Sequence, residues 1–135
     1  MSELKRIAFE VLVNPIPLAR PRFSRGRSVY LPKRSREYRQ ILQQAASVAM
    51  AKSEPLTGEL FCRLNFYRKF KLNCRNFGDI DNHIKAILDA LNGICYKDDS
   101  QIVTVTASKH TDKEPRVAIE IGCVDLEKEK GFCEI

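Results

Sequence analysis

Two aspartates one residue apart, Asp79 and Asp81, head the stretch Gly78-Asp79-Ile80-Asp81-Asn82-His83-Ile84-Lys85, with an amide beside the second and a lysine one helical turn beyond. A further acidic pair, Asp98-Asp99, follows the amphipathic segment that this stretch opens. The chain as a whole is basic, with a formal net charge of +6, so acids gathered this way need a reason. Holding Mg²⁺ against a phosphate backbone supplies one. The ion takes oxygen ligands and keeps several of its waters, so two or three carboxylates suffice. It neutralises a non-bridging phosphate oxygen and makes water a better nucleophile. Lys85 then stands where charge building on the phosphorane or on the leaving oxygen needs a cation. A plainer use of the same residues is an exposed helix with an aspartate cap and ion pairs along Asp81, Lys85 and Asp89, each contributing a few tenths of a kcal/mol.

Other metal and nucleotide motifs fail. A calcium loop of the EF-hand kind starting at Asp79 needs Gly at its sixth position and Glu at its twelfth, where Ile84 and Ala90 stand. His83 and His110 lie far apart in sequence, no H-E-x-x-H occurs, and no Gly-rich phosphate loop is present. His83 reads as a histidine on a helix surface. Five cysteines (Cys62, Cys74, Cys95, Cys123, Cys133) form no C-x-x-C pair and read as buried thiols of a reducing compartment.

The positive charge is unevenly spread. Arg20, Arg22, Arg25, Arg27, Lys33, Arg34 and Arg36 fall between residues 14 and 36 with no acid among them. A second cluster, Arg68, Lys69, Lys71 and Arg75, sits just ahead of the acidic stretch. Such patches attract polyanions, and guanidinium forks match phosphate geometry. Both clusters are therefore candidates for contact with nucleic acid.

The elements that must position these groups follow from periodicity. Residues 6–13 alternate Ile7, Phe9, Val11 and Val13 with other residues, as a strand does. Residues 14–36 are rich in Pro, Gly, Ser and Arg and read as a loop or arm. Ser35 is a candidate N-cap for a helix to about Lys52, with Tyr38, Ile41, Leu42, Ala45 and Ala49 at helical spacing. Residues 60–67 alternate as a second strand. Ile80, Ile84, Ile87, Leu88 and Leu91 make one apolar stripe of a helix over residues 81–92, with Gly93 as its C-terminal cap. Strands follow at 102–108 and 116–123, joined by the polar segment 111–115 as a hairpin connection, and residues 124–135 read as a loose tail. At 135 residues, with 44% hydrophobic and 30% charged residues, the chain suits one domain spanning 1–135. The fold class is α/β (α+β): a mixed four-stranded sheet in the order β-α-β-α-β-β with helices packed on it. No apolar run approaches the length of a membrane span, and the N-terminus lacks the order of a signal peptide, so a cytoplasmic location is expected.

The run Asp79-Ile80-Asp81-Asn82-His83-Ile84-Lys85-Ala86-Ile87-Leu88-Asp89-Ala90-Leu91-Asn92-Gly93, followed by Asp98-Asp99-Ser100-Gln101-Ile102-Val103, resembles the signature of the RusA family of Holliday-junction resolvases. The resemblance is densest over residues 79–105 and extends more weakly to Arg20-Pro21-Arg22. It implies a Mg²⁺-dependent endonuclease, with Mn²⁺ able to substitute, that acts as a homodimer on four-way DNA junctions in recombination and repair. Its two subunits place paired nicks symmetrically across the branch point. Asp79, Asp81 and Asp99 match the family's metal-binding catalytic aspartates and Lys85 its catalytic lysine, while Asn82 and Asp98 match supporting positions. Family members often carry a basic residue directly before the first aspartate, where this chain has Gly78. The readings that stand beside this one are a structure-specific DNA-binding module that does not cleave, and a metal-dependent nuclease acting on other branched DNA or on RNA.

Overall fold

The computed structural model describes residues 4–18, 32–70 and 77–124. Strand β1 (Arg6–Val11) is followed by helix α1 (Lys33–Met50), strand β2 (Leu60–Arg68), helix α2 (Ile80–Leu91), a 3₁₀ turn (Asp99–Gln101), and strands β3 (Ile102–Thr111) and β4 (Arg116–Cys123). The expected order and class hold. The four strands form one sheet in the order β1-β4-β2-β3, with β4 antiparallel to both β1 and β2, and β2 parallel to β3.

Alternation decides which face each strand buries. Rows of paired residues cross the sheet as Ile7, Ile121, Cys62 and Val105, then Phe9, Ile119, Leu64 and Ala107, then Val11, Val117, Phe66 and Lys109. Both helices cover this apolar face. Tyr38, Leu42, Ala46 and Met50 of α1, at a strict i,i+4 step, join Ile87, Ala90 and Leu91 of α2 in one core with the strands. Burying each large side chain here contributes on the order of 1.5–3 kcal/mol. The opposite face carries polar residues such as Arg63 and Glu120, paired at 3.1 Å, and among the described residues no helix packs over it.

Several local expectations are corrected. Helix α1 starts three residues earlier than an N-cap at Ser35 implies, after Pro32, with no side-chain cap. Proline's fixed φ starts the helix without one. Ile41 stays 43% exposed, so the buried stripe is narrower than the spacing of apolar residues suggests. The segment after β3 is not a hairpin turn. β3 and β4 run antiparallel but lie on either side of β2, and the connection is held to the end of β2 by the Asp112 amide bonding the Arg68 carbonyl at 2.9 Å. Gly93 does have a positive φ, of 85°, just past α2. Cys62 and Cys95 are buried thiols outside any disulfide, with pKa values pushed up to about 12 by that burial, and the half-buried Cys123 thiol donates to the Thr57 carbonyl at 3.8 Å. Cys74, Cys133 and the tail from residue 125 lie outside the described residues. No described helix is long and apolar enough to cross a membrane.

Candidate active site

The acidic stretch begins at a turn that only glycine fits. Gly78 has φ +90°, and a Cβ there would sit 2.8 Å from the Pro17 ring. Lys109, the charged end of an otherwise apolar row, donates from Nζ to the Gly78 carbonyl at 3.0 Å and lies 5.2 Å from the centre of the Phe77 ring. On the other side the Leu18 amide bonds the Asn82 carbonyl at 2.9 Å, and Arg68 donates to the Pro15 carbonyl at 3.3 Å. Residues 15–18 are thus fastened over the first turn of α2. The chain departs from there for the basic segment, beside the acids.

Asp79 occupies the cap position of α2 in an extended conformation, yet its side chain makes no capping bond. Asp79, Asp81 and Lys85 are exposed, Asp89 is half-buried, and none of them forms an ion pair among the described residues. The two ordinary uses of these residues, cap and i,i+4 pair, are both untaken. Asn82 is half-buried and works through its backbone, as the anchor of Leu18.

The second acidic pair divides its labour. The Asp98 carboxylate accepts from the Ser100 amide at 3.1 Å, while Gln101 Oε1 accepts from the Asp98 and Lys97 amides at 3.2 and 3.0 Å. This is a capping box. The bonds from Ser100 hold the Asp98 carboxyl below its ordinary range. Gln101 Nε2 also donates to the Leu56 and Gly58 carbonyls, at 3.0 and 3.1 Å, which pins the turn to the start of β2. Asp98 and Gln101 are spent on structure, and Asp99 is left exposed on a fixed turn.

The fold does not bring Asp99 to Asp79 and Asp81. Parallel neighbours β2 and β3 require a crossover, and α2 runs back along the sheet to make it. Its first turn lies by Phe66 and Lys109, while Tyr96, just past its end, bridges to Leu56. A 12-residue helix is about 18 Å long. Asp79 and Asp81 therefore stand at one end of it and Asp99 beyond the other. Tyr96 registers this: burial pushes its hydroxyl up, and the thiols of Cys62 and Cys95 and the charges of Asp99 and Asp89 add to the effect. Among the described residues no three His, Cys, Asp or Glu groups are close enough to hold an ion together.

Of the expected DNA contacts, Lys33 and Lys69 are exposed. Arg68 is not available: it is 7% exposed, and its guanidinium packs on Phe70 and holds Pro15. Arg20, Arg22, Arg25, Arg27, Lys71 and Arg75 lie outside the described residues.

His83 corrects the reading of α2. It is fully buried between Phe66 and Phe77, with ring centres 5.0 and 5.6 Å away, and its Nε2 bonds the Phe77 carbonyl. A carbonyl only accepts, so Nε2 carries the proton, and Nδ1 is buried without a partner. The apolar face is His83, Ile87, Ala90 and Leu91, rotated away from Ile80 and Ile84. Its position four residues before Ile87 was the available signal. Lys109 was missed too, though it continues the alternation Val103, Val105, Ala107.

Burial holds the His83 pKa below its ordinary value, with Arg68 and Lys109 adding to the effect against the Phe77 bond and Asp79. The folded protein thus refuses a proton that the unfolded chain accepts near pH 6.5. Stability from this group is complete above that pH and is lost as pH falls toward the lower folded value. Urea unfolding should show up to about 1.4 kcal/mol lost per pH unit on going from about pH 6.5 to about pH 5.5. His83→Gln, which keeps a donor for Phe77, should flatten that slope. An equal slope in both proteins would refute the assignment.

An exposed carboxylate pair with a nearby lysine, at the foot of a basic segment on a small α+β scaffold, has the layout of a nuclease. The family model for endodeoxyribonuclease RusA matches residues 13–122, and the chain belongs to that family. It is also similar to the uncharacterized protein YqaN of Bacillus subtilis (strain 168), with 31% identity over 135 aligned positions that cover 85% of this chain and 94% of that protein.

Proposed function

We propose that the protein is a Mg²⁺-dependent endodeoxyribonuclease that resolves four-way DNA junctions by paired symmetric nicks, working as a homodimer in the cytoplasm during recombination and repair. The observation that carries this reading is the unspent state of Asp79 and Asp81 beside the root of the basic segment. A helix surface kept only for solubility uses its acids as caps or pairs, and these do neither.

Asp79 and Asp81 offer hard oxygens at the start of α2, which fits Mg²⁺ or Mn²⁺. When bound, the ion supplies charge neutralisation at the scissile phosphate and a more acidic water. Lys85, one turn along the same face, is placed to stabilise charge on the phosphorane or on the leaving oxygen. Asp98 and Gln101 hold the turn that presents Asp99, a further carboxylate for the reaction. Arg20, Arg22, Arg25, Arg27, Lys33, Lys69, Lys71 and Arg75 contact the backbone of the junction arms, while Arg68 holds the base of that segment.

The test is cleavage of a labelled synthetic four-way junction beside linear duplex, with and without Mg²⁺. Symmetric paired nicks confined to the junction and dependent on the ion are expected. Tight junction binding with no cleavage under Mg²⁺ or Mn²⁺ would instead make the protein a binding module.

A further inference from the structure

Strand β3 closes an apolar series with a charge. Val105, Ala107 and Lys109 share the helix-covered face, and Lys109 stands in a row with Val11, Val117 and Phe66, all three buried. Nothing in that row needs a cation, and drawing an ammonium half out of water costs free energy unless it is bonded. Its hydrogen bond goes to the Gly78 carbonyl at 3.0 Å, with the Phe77 ring centre 5.2 Å away. Lys109 forms no ion pair among the described residues.

The carbonyl it bonds belongs to the peptide that joins Gly78 to Asp79. Glycine has the most permissive backbone of any residue, so at φ +90° that peptide plane has little of its own to fix it. Asp79 does not fix it either, because its carboxylate makes no capping bond. Pro17 blocks the turn from one side, and Lys109 holds it from the other. A salt bridge to Asp79 would also hold the turn, but it would neutralise the carboxylate. Bonding the carbonyl next to it holds Asp79 in place and leaves its oxygens free for an ion.

We infer that Lys109 is a positioning residue for metal binding: reaching from β3, it fixes the Gly78–Asp79 peptide so that the Asp79 carboxylate meets an ion together with that of Asp81. The inference rests on the metal-dependent reading above.

Lys109→Met separates position from charge by the sign of its effect. Methionine keeps an unbranched apolar stem in the row and loses both the donor and the charge. By charge alone, removing a cation beside two carboxylates tightens their hold on a divalent ion. Loss of position weakens it. Mn²⁺ binding followed by electron paramagnetic resonance should be about tenfold weaker in the variant, the size of one lost hydrogen bond from a charged donor. Lys109→Arg, which keeps a cationic donor, should recover most of that loss. Junction cleavage by Lys109→Met should fall at limiting Mg²⁺ and return toward the wild-type rate at saturating Mg²⁺, a split that lower stability alone does not produce. Equal or tighter Mn²⁺ binding in Lys109→Met would overturn the positioning role.

A further readout needs neither metal nor DNA. The ¹⁵N order parameters of the Gly78 and Asp79 amides should be near the rigid value of about 0.85 in the wild type and fall toward about 0.6 in Lys109→Met. Unchanged order parameters would overturn the tether. Amides that loosen in the variant, in a wild type that takes up no Mn²⁺ and cuts no junction, would count against the proposed function and leave the hold of Lys109 on the turn standing.

Discussion

Asp81→Asn should abolish junction cleavage while leaving junction binding intact or tighter. The substitution keeps the shape and removes one carboxylate from the candidate metal site. Losing about 4 kcal/mol of charge stabilisation in the transition state lowers the rate by about 1,000-fold. Its structural effect is small. Asp81 is exposed in the first turn of α2 and forms no ion pair among the described residues, so the fold loses only its interaction with the helix dipole, about 0.3–1 kcal/mol. Binding responds in the opposite sense, because one fewer negative charge faces the phosphates at the root of the basic segment. The check is single-turnover cleavage with Mg²⁺ together with junction affinity measured without it. Equal loss of cleavage and binding, or a fall in Tm of the size a core change produces, would make Asp81 structural and remove the basis of the proposed reaction.

The parts of this molecule legible in the sequence are those written in periodicity. Strand β4 falls at 116–123 as alternation predicts, and β2, α2 and the order of elements follow the same logic. Long-range pairing left no such trace. Nothing local says that β3 pairs with β2 rather than with β4, which follows it after a short polar turn; the crossover through α2 decides that, and with it where Asp99 goes. The acids were legible as types at a spacing. Their separation was not, because adjacency in a motif says nothing about the length of helix between its halves. Charged or polar residues turned inward defeated reading by type: His83, Arg68 and Lys109 each look like surface groups and each ties the acidic turn or the basic segment to the sheet. The D-D-x-Q run shows the converse. Its Asp98 and Gln101 match a family pattern, and the geometry gives them a physical task in the 3₁₀ turn.

Gly78→Arg carries the second large expected effect, and its direction separates charge from structure. An added guanidinium beside the acidic pair is attracted to phosphate, so charge alone would lead one to expect tighter junction binding and undiminished cleavage. The geometry here opposes it. Gly78 sits at φ +90°, where a side chain costs about 1–2 kcal/mol. Its Cβ would also lie 2.8 Å from Pro17 Cγ and 3.1 Å from Pro17 Cβ, against a ring that cannot swing aside. Pro17 itself is held from behind, because the next residue bonds the Asn82 carbonyl. Relief by moving residues 15–18 would break that bond, and relief by moving the turn would pull the Gly78 carbonyl from Lys109. Overpacking of this kind adds roughly another 1–3 kcal/mol, for a total of about 2–5 kcal/mol out of the 5–15 typical of a domain. Tm should fall by roughly 10 °C or more. Cleavage should fall further than stability accounts for, since either movement carries Asp79 off its place at the head of α2. Gly78→Ala separates the causes: it keeps the strain and the clash with Pro17 but adds no charge, and should reproduce most of the loss. A Gly78→Arg protein with wild-type Tm and faster cleavage would mean that the turn is not held by Pro17 and Lys109 in the way its contacts require.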